Sequence, residues 1–380
     1  MISNRDVQWW ISEAHRYPES APTLIEKLAE RLAELDAENE RLRGEVIGLR
    51  RGRPAGAADG SEVSALQSRV ETLQRILNGQ ASTEPAVVMF SDRLEMVRMP
   101  LSQVRMRLGS TRSQGALLPT ASLGVRCLLM VRPHEDLLLL TSRGRLISVC
   151  LHDIPFLIEG DDWPSAGGES RLAGGERVAA AVAAARSPRF WTLVTRQGFV
   201  VQLLGAHVEK RSGQDDPVVR SQHYHDEPVA ILDGDRGDLF LITRWGKAIG
   251  FPQRAIAGQG CSGLTVEPDD GVVAALPLPA DAEVLAITAG GYVMRRDSAG
   301  FRGRHKPGGQ GRSFIQAYDV LAAVPYAARG KLLFLTYSGK FIAVASAGVP
   351  LQGRLGKGTQ LCDLSGDPAV AVTFVPGALL

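Results

Sequence analysis

The chain has 380 residues, of which 44% are hydrophobic and 22% are charged, and its formal net charge is +2. It has no apolar run near the roughly 20 residues that cross a bilayer and no apolar signal-peptide core at its start, so we expect a cytoplasmic protein without a membrane partner. Four widely spaced cysteines without a CxxC pair favour free thiols over a disulfide framework or a zinc knuckle.

The charge is divided unevenly along the chain. Residues 1–85 carry 11 Lys and Arg against 14 Asp and Glu, which leaves 32 against 27 for residues 86–380. The longer part is therefore the basic one. Its excess is compatible with nucleic acid but small for that role.

Residues 1–20 are predicted to contain a short amphipathic helix, with Trp9 and Trp10 packing on the domain or on a partner chain. A peripheral membrane anchor or partner-docking anchor is the alternative role for these two residues. Residues 21–80 follow as a helical arm with a Pro/Gly/Ala break near 51–60. Eight residues of this arm occupy the a and d positions of four heptads: Ile25, Leu28, Leu32, Leu35, Asn39, Leu42, Val46 and Leu49. The pattern predicts a parallel two-stranded coiled coil that dimerises the chain, with Asn39 fixing the register. One helix lying on its own domain, or a hairpin folded back at the break, stays an alternative.

From residue 86 onward the chain repeats a short pattern: an apolar run, a Thr, two further residues, a Gly and a second apolar run. The copies are LLLLTSRGRLI (137–147), WTLVTRQGFVV (191–201), LFLITRWGKAI (239–249), VLAITAGGYVM (284–294), LLFLTYSGKFI (332–342) and a divergent first copy, VVMFSDRLEMV (87–97). Each copy predicts a β-hairpin in which Gly supplies a positive φ and the Thr hydroxyl bonds to nearby backbone. In the first copy Ser91 and Leu94 stand at the Thr and Gly positions.

A lone hairpin is marginal in water, so six such units at a spacing of about 50 residues are expected to pack into a closed ring. The predicted fold is mainly β: a six-bladed propeller-like ring over residues 86–380, preceded by the α-helical coiled-coil arm. Its repeats start near residues 86, 136, 190, 238, 283 and 331.

After several hairpins comes a basic, Gly-rich loop and then another apolar strand, as in IAGQGCSGLTV (256–266), HKPGGQGRSFI (305–315) and LQGRLGKGTQL (351–361). Together these features resemble the C-terminal DNA-wrapping domain of bacterial type IIA topoisomerases, meaning the gyrase A protein and its topoisomerase IV counterpart. The resemblance implies a β-pinwheel, a propeller variant whose neighbouring blades exchange strands, and a basic outer rim that binds and bends duplex DNA.

The comparison with this family also argues against two activities, chiral DNA wrapping and DNA cleavage. The nearest match to the gyrase box Gln-Arg-Arg-Gly-Gly-Arg-Gly is residues 305–311, which keep the three glycines and one basic position and lie in the fifth unit. We therefore expect binding and bending rather than chiral wrapping of gyrase type. Residues 1–85 offer no counterpart to the breakage-reunion part with its nucleophilic Tyr, so we expect a non-enzymatic protein that needs no cofactor.

Candidate DNA contacts are the basic residues beside the hairpin glycines and along the Gly-rich loops, because Arg, Lys and backbone N–H groups bind phosphates. Beside the hairpins lie Arg143, Arg145, Arg196, Arg244, Lys247 and Lys340. After the fifth hairpin and along the loops lie Arg295, Arg296, Arg302, Arg304, Lys306, Arg312, Arg354 and Lys357. The cluster from Arg295 to Arg312 is the first candidate. His223 and His225 are two potential metal ligands without a third, so no metal site is predicted.

These observations predict a dimeric protein that binds the phosphate backbone of duplex DNA, as an architectural or topoisomerase-accessory protein associated with the nucleoid. A topoisomerase or another chromosomal protein would be a further partner. The modest positive charge leaves a second function open, in which the ring is a protein-interaction scaffold that does not bind DNA.

Overall fold

The computed structural model of the protein describes residues 84–109, 124–157, 171–184, 187–212, 217–218, 226–234, 237–279, 282–302 and 306–377. The predicted N-terminal helix (1–20) and coiled-coil arm (21–80) lie outside these residues, as do Arg304, His223 and His225. None of the helices in the described ranges has the length and hydropathy of a membrane-spanning segment.

The described chain forms six successive units, each built on one hairpin and a third long strand. Unit 1 holds β1 (Ala86–Ser91), β2 (Met96–Pro100) and β3 (Val125–Val131), and unit 2 holds β4 (Asp136–Thr141), β5 (Leu146–Val149) and β6 (Val178–Ala184). Unit 3 holds β7 (Phe190–Thr195), β8 (Phe199–Leu204) and β9 (Pro228–Asp233). Unit 4 holds β10 (Asp238–Thr243), β11 (Lys247–Pro252), β12 (Cys261–Ser262) and β13 (Val272–Leu278).

Units 5 and 6 follow the same plan. Unit 5 holds β14 (Glu283–Thr288), β15 (Tyr292–Asp297), β16 (Arg312–Ser313) and β17 (Val320–Pro325), and unit 6 holds β18 (Gly330–Thr336), β19 (Phe341–Ala345), β20 (Thr359–Gln360) and β21 (Ala369–Pro376). Two short helices follow the hairpins of units 1 and 3, namely α1 (Leu101–Gly109) and α2 (Gly205–Arg211). Single 3-10 turns cover Leu151–Asp153, Gln253–Ala255, Ala299–Phe301 and Ser346–Gly348.

The hairpin turn has the same geometry in every unit. The Thr or Ser hydroxyl oxygen is buried and accepts the backbone N–H four residues later at 3.1–3.2 Å. The turn glycines have φ between 77° and 88°. In the divergent first copy Leu94 adopts φ 68° and is only 2% exposed. Burial of a leucine stabilises by about 1.5–3 kcal/mol, which offsets the cost of its left-handed backbone.

Each sheet places its third long strand on one edge and the hairpin beside it. In units 3, 4 and 5 the other edge carries a short strand that comes from the next unit: β12 pairs with β8, β16 with β11, and β20 with β15. Backbone bonds repeat the exchange elsewhere, because the carbonyl of Gly144 in the unit-2 turn accepts the N–H of Val218. Neighbouring blades therefore exchange strands, as the β-pinwheel prediction requires.

The six units close into a ring. Their third strands adjoin one another in the cycle β3, β6, β9, β13, β17, β21 and back to β3. Six buried apolar clusters lie between neighbouring units, and the last joins unit 6 to unit 1 through Leu333, Leu335 and Ala371 against Val87 and Met89. The third strands thus line the middle, and the exchanged strands with their Gly-rich loops form the outer edge.

Candidate nucleic-acid interface

Three Gly-rich loops on the outer edge are joined to one another by backbone hydrogen bonds. They are the unit-4 loop (257–265), the unit-5 loop (306–316) and the unit-6 loop (351–361). Gly308 N donates to Gly263 O at 3.0 Å and Thr265 N donates to Gly309 O at 2.9 Å, while Gln316 N donates to Gly356 O at 2.8 Å. The loops of three successive units therefore form one continuous surface.

Four cations of this surface are exposed, and we call them the basic track: Lys306, Arg312, Arg354 and Lys357. The three loops contain no Asp or Glu. Arg312 Nη1 bonds Gly300 O at 3.2 Å, which leaves the rest of its exposed guanidinium facing solvent. A surface that carries cations without carboxylates attracts polyanions.

The glycines of the loop that resembles the gyrase box serve the junction between units. A Cβ on Gly311, whose φ is 68°, would lie 2.8 Å from Ala248 O, and a Cβ on Gly309 would lie 3.1 Å from Ile249 Cδ1. These two glycines therefore let the unit-5 loop lie directly on unit 4. The sequence suggests that they allow approach to phosphate, but the observed approach is to the neighbouring blade.

Arg295 and Arg296, the leading candidates from the sequence, are half-buried, and their guanidinium groups already bond other protein groups. Arg295 bonds Glu283 at 2.6–2.7 Å, donates to Val349 O at 3.1 Å and lies 3.5 Å from the centre of the Tyr326 ring. Arg296 donates to the carbonyls of residues 313, 314 and 353 and covers the Phe301 ring. Burial lowers the pKa of Arg296, yet a guanidinium stays charged at neutral pH. The geometry gives both residues a structural role, and Arg296 ties the unit-5 loop to the unit-6 loop.

Other sequence candidates are paired with carboxylates. Arg302 bonds Asp238 at 2.5 Å, Lys247 bonds Glu267, and Lys340 lies 3.9 Å from Asp367. Arg145 forms a largely buried pair with Glu176 at 2.9 Å. A phosphate would have to compete with these carboxylates, so the four cations are weaker candidates than the basic track.

Arg143, Arg196 and Arg244 lie on the hairpin turns, at one end of the strands, and all three are exposed. Arg143 donates to Gly174 O at 2.6 Å and Arg244 to Asp269 O at 2.9 Å. The turns of units 1 to 5 also bond the next unit, as in the bond from Val320 N to Arg244 O at 3.0 Å. These arginines therefore form a second group of exposed cations, at the hairpin turns.

Sequence reasoning missed a recurring acidic residue that caps the hairpin turn. Asp270 Oδ1 accepts Trp245 N at 3.0 Å, Asp226 Oδ1 accepts Gln197 N at 2.9 Å, and Asp367 Oδ1 accepts Ser338 N at 2.8 Å. The sequence carries a signal for this role, since each of these residues lies just before a third strand. Two adjacent acidic residues in the sequence, Asp269 and Asp270, suggest a solvated turn, but the structure shows that Asp270 is buried.

Arg98 is the unit-1 counterpart of Arg295, because each lies seven residues after the Ser or Thr of its hairpin. Arg98 is 3% exposed and covers the Phe156 ring at 4.0 Å. Its Nε and Nη2 atoms have no hydrogen-bond partner among the described residues. Arg98 lacks the carboxylate partner of Arg295, because unit 1 has Ala86 at the position that corresponds to Glu283 in unit 5. Burial lowers the pKa of Arg98.

The described part of the chain contains no group of three or more metal-ligating side chains, and two of its four cysteines have raised pKa values. All four cysteines are free, and burial raises the pKa of Cys127 to about 12 and also raises the pKa of Cys362. Thiolate chemistry at neutral pH is therefore disfavoured at both residues.

The closed ring of six units, three of which carry a strand from the next unit, and its basic outer loops define a β-pinwheel domain. The solved C-terminal domain of DNA gyrase A aligns with it at a TM-score of 0.62 and 17% identity, covering 77% of this chain and 99% of that domain. The C-terminal domain of DNA topoisomerase IV aligns at a TM-score of 0.55 and 16% identity, covering 78% and 95%. The mainly β pinwheel fold predicted from the sequence is confirmed.

Sequence comparison gives the same relationship. The chain is 26% identical over 224 residues to the DNA gyrase A protein of Dehalogenimonas lykanthroporepellens, covering 54% of this chain and 26% of that protein. It is 25% identical over 264 residues to the DNA gyrase A protein of Haloquadratum walsbyi, covering 63% and 30%. The chain thus spans less than a third of the length of these curated relatives, and no protein-family model matches it. The predicted resemblance to the gyrase A C-terminal domain is confirmed.

Proposed function

We propose that the pinwheel binds duplex DNA along the basic track and bends it around the outer edge. The observation that carries the proposal is the joined surface of three loops with four exposed cations and no carboxylate. Similarity to proteins named for DNA gyrase and DNA topoisomerase IV supports it. Contacts of this kind recognise phosphates and carry little sequence information.

We propose a non-enzymatic role for the chain, as an architectural protein or an accessory of a topoisomerase. The solved structures that it matches are C-terminal domains, and residues 1–85 offer no sequence counterpart to a DNA-cleaving domain. Incubation with supercoiled plasmid and Mg²⁺ should leave the plasmid uncut and its linking number unchanged after removal of the protein. Cleaved or relaxed plasmid that persists in highly purified protein would contradict this role.

Fluorescence anisotropy with a labelled 40-base-pair duplex over a salt series tests the binding proposal. Four phosphate contacts predict a slope of about −3.6 in log K against log salt, at about 0.9 per contact. The double variant Arg354→Glu, Lys357→Glu should reduce the magnitude of the slope by about 1.8. Its matched control is Arg329→Glu, Lys331→Glu, which reverses two exposed charges of the same unit beyond the basic track. Equal loss in both variants, or no binding by the wild type at low salt, would contradict the proposal.

Bending follows from the curvature of the outer edge, because a duplex must bend to contact loops of successive units. Bending a site of 20–30 base pairs by 40–90° costs on the order of 1–6 kcal/mol and depends on sequence. A duplex with flexible TA and CA steps should therefore bind more tightly than a stiff A-tract duplex of equal length. Energy transfer between dyes at the duplex ends should rise on binding, and an unchanged end-to-end distance would exclude bending.

We also propose that the N-terminal arm dimerises the chain, on the evidence of its four heptads. Leu35→Lys, at a d position, should convert a dimer into a monomer of 40.8 kDa in sedimentation equilibrium. Ala37→Lys, at an outward heptad position, is the control and should leave the dimer intact. A monomeric wild type would remove this part of the proposal.

A further inference from the structure

An aromatic pair, formed by the half-buried Trp245 and the exposed Tyr318, lies at the junction of units 4 and 5, at the hairpin turn of unit 4. Tyr318 is 78% exposed, and its ring meets the edge of the Trp245 ring at a centroid distance of 5.9 Å and an angle of 75°. Trp245 N is held by Asp270 Oδ1 at 3.0 Å. Two residues after Tyr318, the N–H of Val320 is bonded to Arg244 O at 3.0 Å. The two rings come from different blades, and hydrogen bonds hold the chain at Trp245 and two residues after Tyr318.

Unit 5 departs from the repeat to place a ring there. In every unit one residue of the third strand pairs with the hairpin Thr or Ser. In units 3, 4 and 6 an aspartate lies two residues before that strand residue, namely Asp226, Asp270 and Asp367. In unit 5 that position is Tyr318, and the capping acid is the next residue, Asp319, whose Oδ2 accepts Gly290 N at 3.3 Å. The cap is retained and the tyrosine is added to the surface.

Charged residues of both signs flank the pair. Arg312 of the basic track lies six residues before Tyr318 in the same segment, and exposed Arg244 immediately precedes Trp245. Two acidic residues, Asp269 and Asp319, are also exposed here. Arg244 Nη2 bonds the backbone carbonyl of Asp269 at 2.9 Å, and the Asp319 carboxylate accepts the Gly290 N–H at 3.3 Å. Aromatic faces flanked by arginines match the chemistry of a base and its phosphates.

We propose that Trp245 and Tyr318 form a stacking platform for an unpaired base of nucleic acid, whose flanking phosphates bind Arg312 and Arg244. The platform rests on the proposed function because it extends the basic track. A base has a π-face whatever its identity, so the platform accepts any single-stranded sequence. It gives the ring a preference for duplex sites that contain a flipped, mismatched or unpaired nucleotide.

The test compares three ligands on the full chain: a 20-base single strand, a 40-base-pair duplex, and the same duplex with one unpaired central base. Tyr318→Ala should weaken binding of the single strand and of the duplex with the unpaired base by about 5- to 150-fold, and should change perfect-duplex affinity less than about twofold. Tyr318→Phe keeps the ring and should keep the affinity. Tyr337→Ala, which removes an exposed tyrosine from the unit-6 hairpin turn, is the matched control and should have no effect.

The outcomes separate the platform from the proposed function. Loss of single-strand binding in Tyr318→Ala with no duplex binding by the wild type supports the platform and contradicts the basic track as a duplex site. Normal duplex binding with equal single-strand affinity in wild type and Tyr318→Ala refutes the platform and leaves the proposed function standing. Equal losses in Tyr318→Ala and Tyr337→Ala would also refute it, since the effect would not belong to this pair.

Discussion

Gly246 is the residue on which the junction between units 4 and 5 most directly depends. Its carbonyl accepts the N–H groups of Phe314 and Ile315 at 2.7 and 3.4 Å, and its φ is 77°. A Cβ at this position would lie 2.4 Å from Ile315 O and 2.7 Å from Ile315 Cγ2. Gly246→Ala therefore forces the unit-5 loop away from the hairpin of unit 4.

Two effects should lower the free energy of unfolding of the Gly246→Ala variant. A left-handed backbone at a residue with a side chain costs roughly 1–2 kcal/mol, and displacing close-packed neighbours costs typically about 1–3 kcal/mol. Gly246→Ala should therefore lower the free energy of unfolding by about 2–5 kcal/mol in urea denaturation. The amide hydrogens of Phe314 and Ile315 should exchange faster than in the wild type, because their acceptor is displaced.

Gly258→Ala provides the control for this measurement. A Cβ on Gly258 would meet no atom within 4 Å, and its φ is not in the left-handed region. Its free energy of unfolding should stay within about 0.5 kcal/mol of the wild type. If Gly246→Ala and Gly258→Ala were equally stable, the close approach of neighbouring blades would not be what selects glycine in the hairpin turn.

Three further predictions concern buried charges. Burial alone would raise the pKa of Glu176, but hydrogen bonds from Arg145 and other donors lower this pKa below the ordinary value of 4.5. Glu176→Gln should therefore lower the free energy of unfolding by about 3 kcal/mol at pH 7. In an acid titration, the difference in stability between this variant and the wild type should vanish as the pH falls through the lowered pKa. A gap that persisted at the lowest pH would contradict the ion-pair explanation. Arg98→Met should raise the melting temperature, because it removes a buried guanidinium with unbonded nitrogens, whereas Arg295→Met should lower it; shifts of the same sign would refute the distinction. Arg296→Gln should lower the free energy of unfolding by about 1.5–3 kcal/mol, because the charged hydrogen bonds of the guanidinium are lost. If this variant were as stable in urea as the wild type, Arg296 would not hold the outer loops together.

The sequence alone determined the repeating unit and the ring. Turn chemistry is local: Thr243 bonds the backbone of Lys247, and Gly246 has the positive φ that the pattern predicts. Because six copies of one marginal hairpin can be stable only by packing on one another, their number and spacing were enough to predict a closed β architecture. The sequence also identified the divergent first copy, since Leu94 stands at the glycine position and has a left-handed backbone in the structure.

Only the tertiary structure decided which cations are available to a ligand. Arg302 meets Asp238 64 residues away, Arg295 meets Val349 54 residues away, and Arg296 meets Gly353 57 residues away. Lys306 and Arg354 look similar in the sequence but lie exposed on the outer loops. Local spacing cannot distinguish these two groups, because the carboxylates and carbonyls that bond an arginine come from parts of the chain that are distant in sequence.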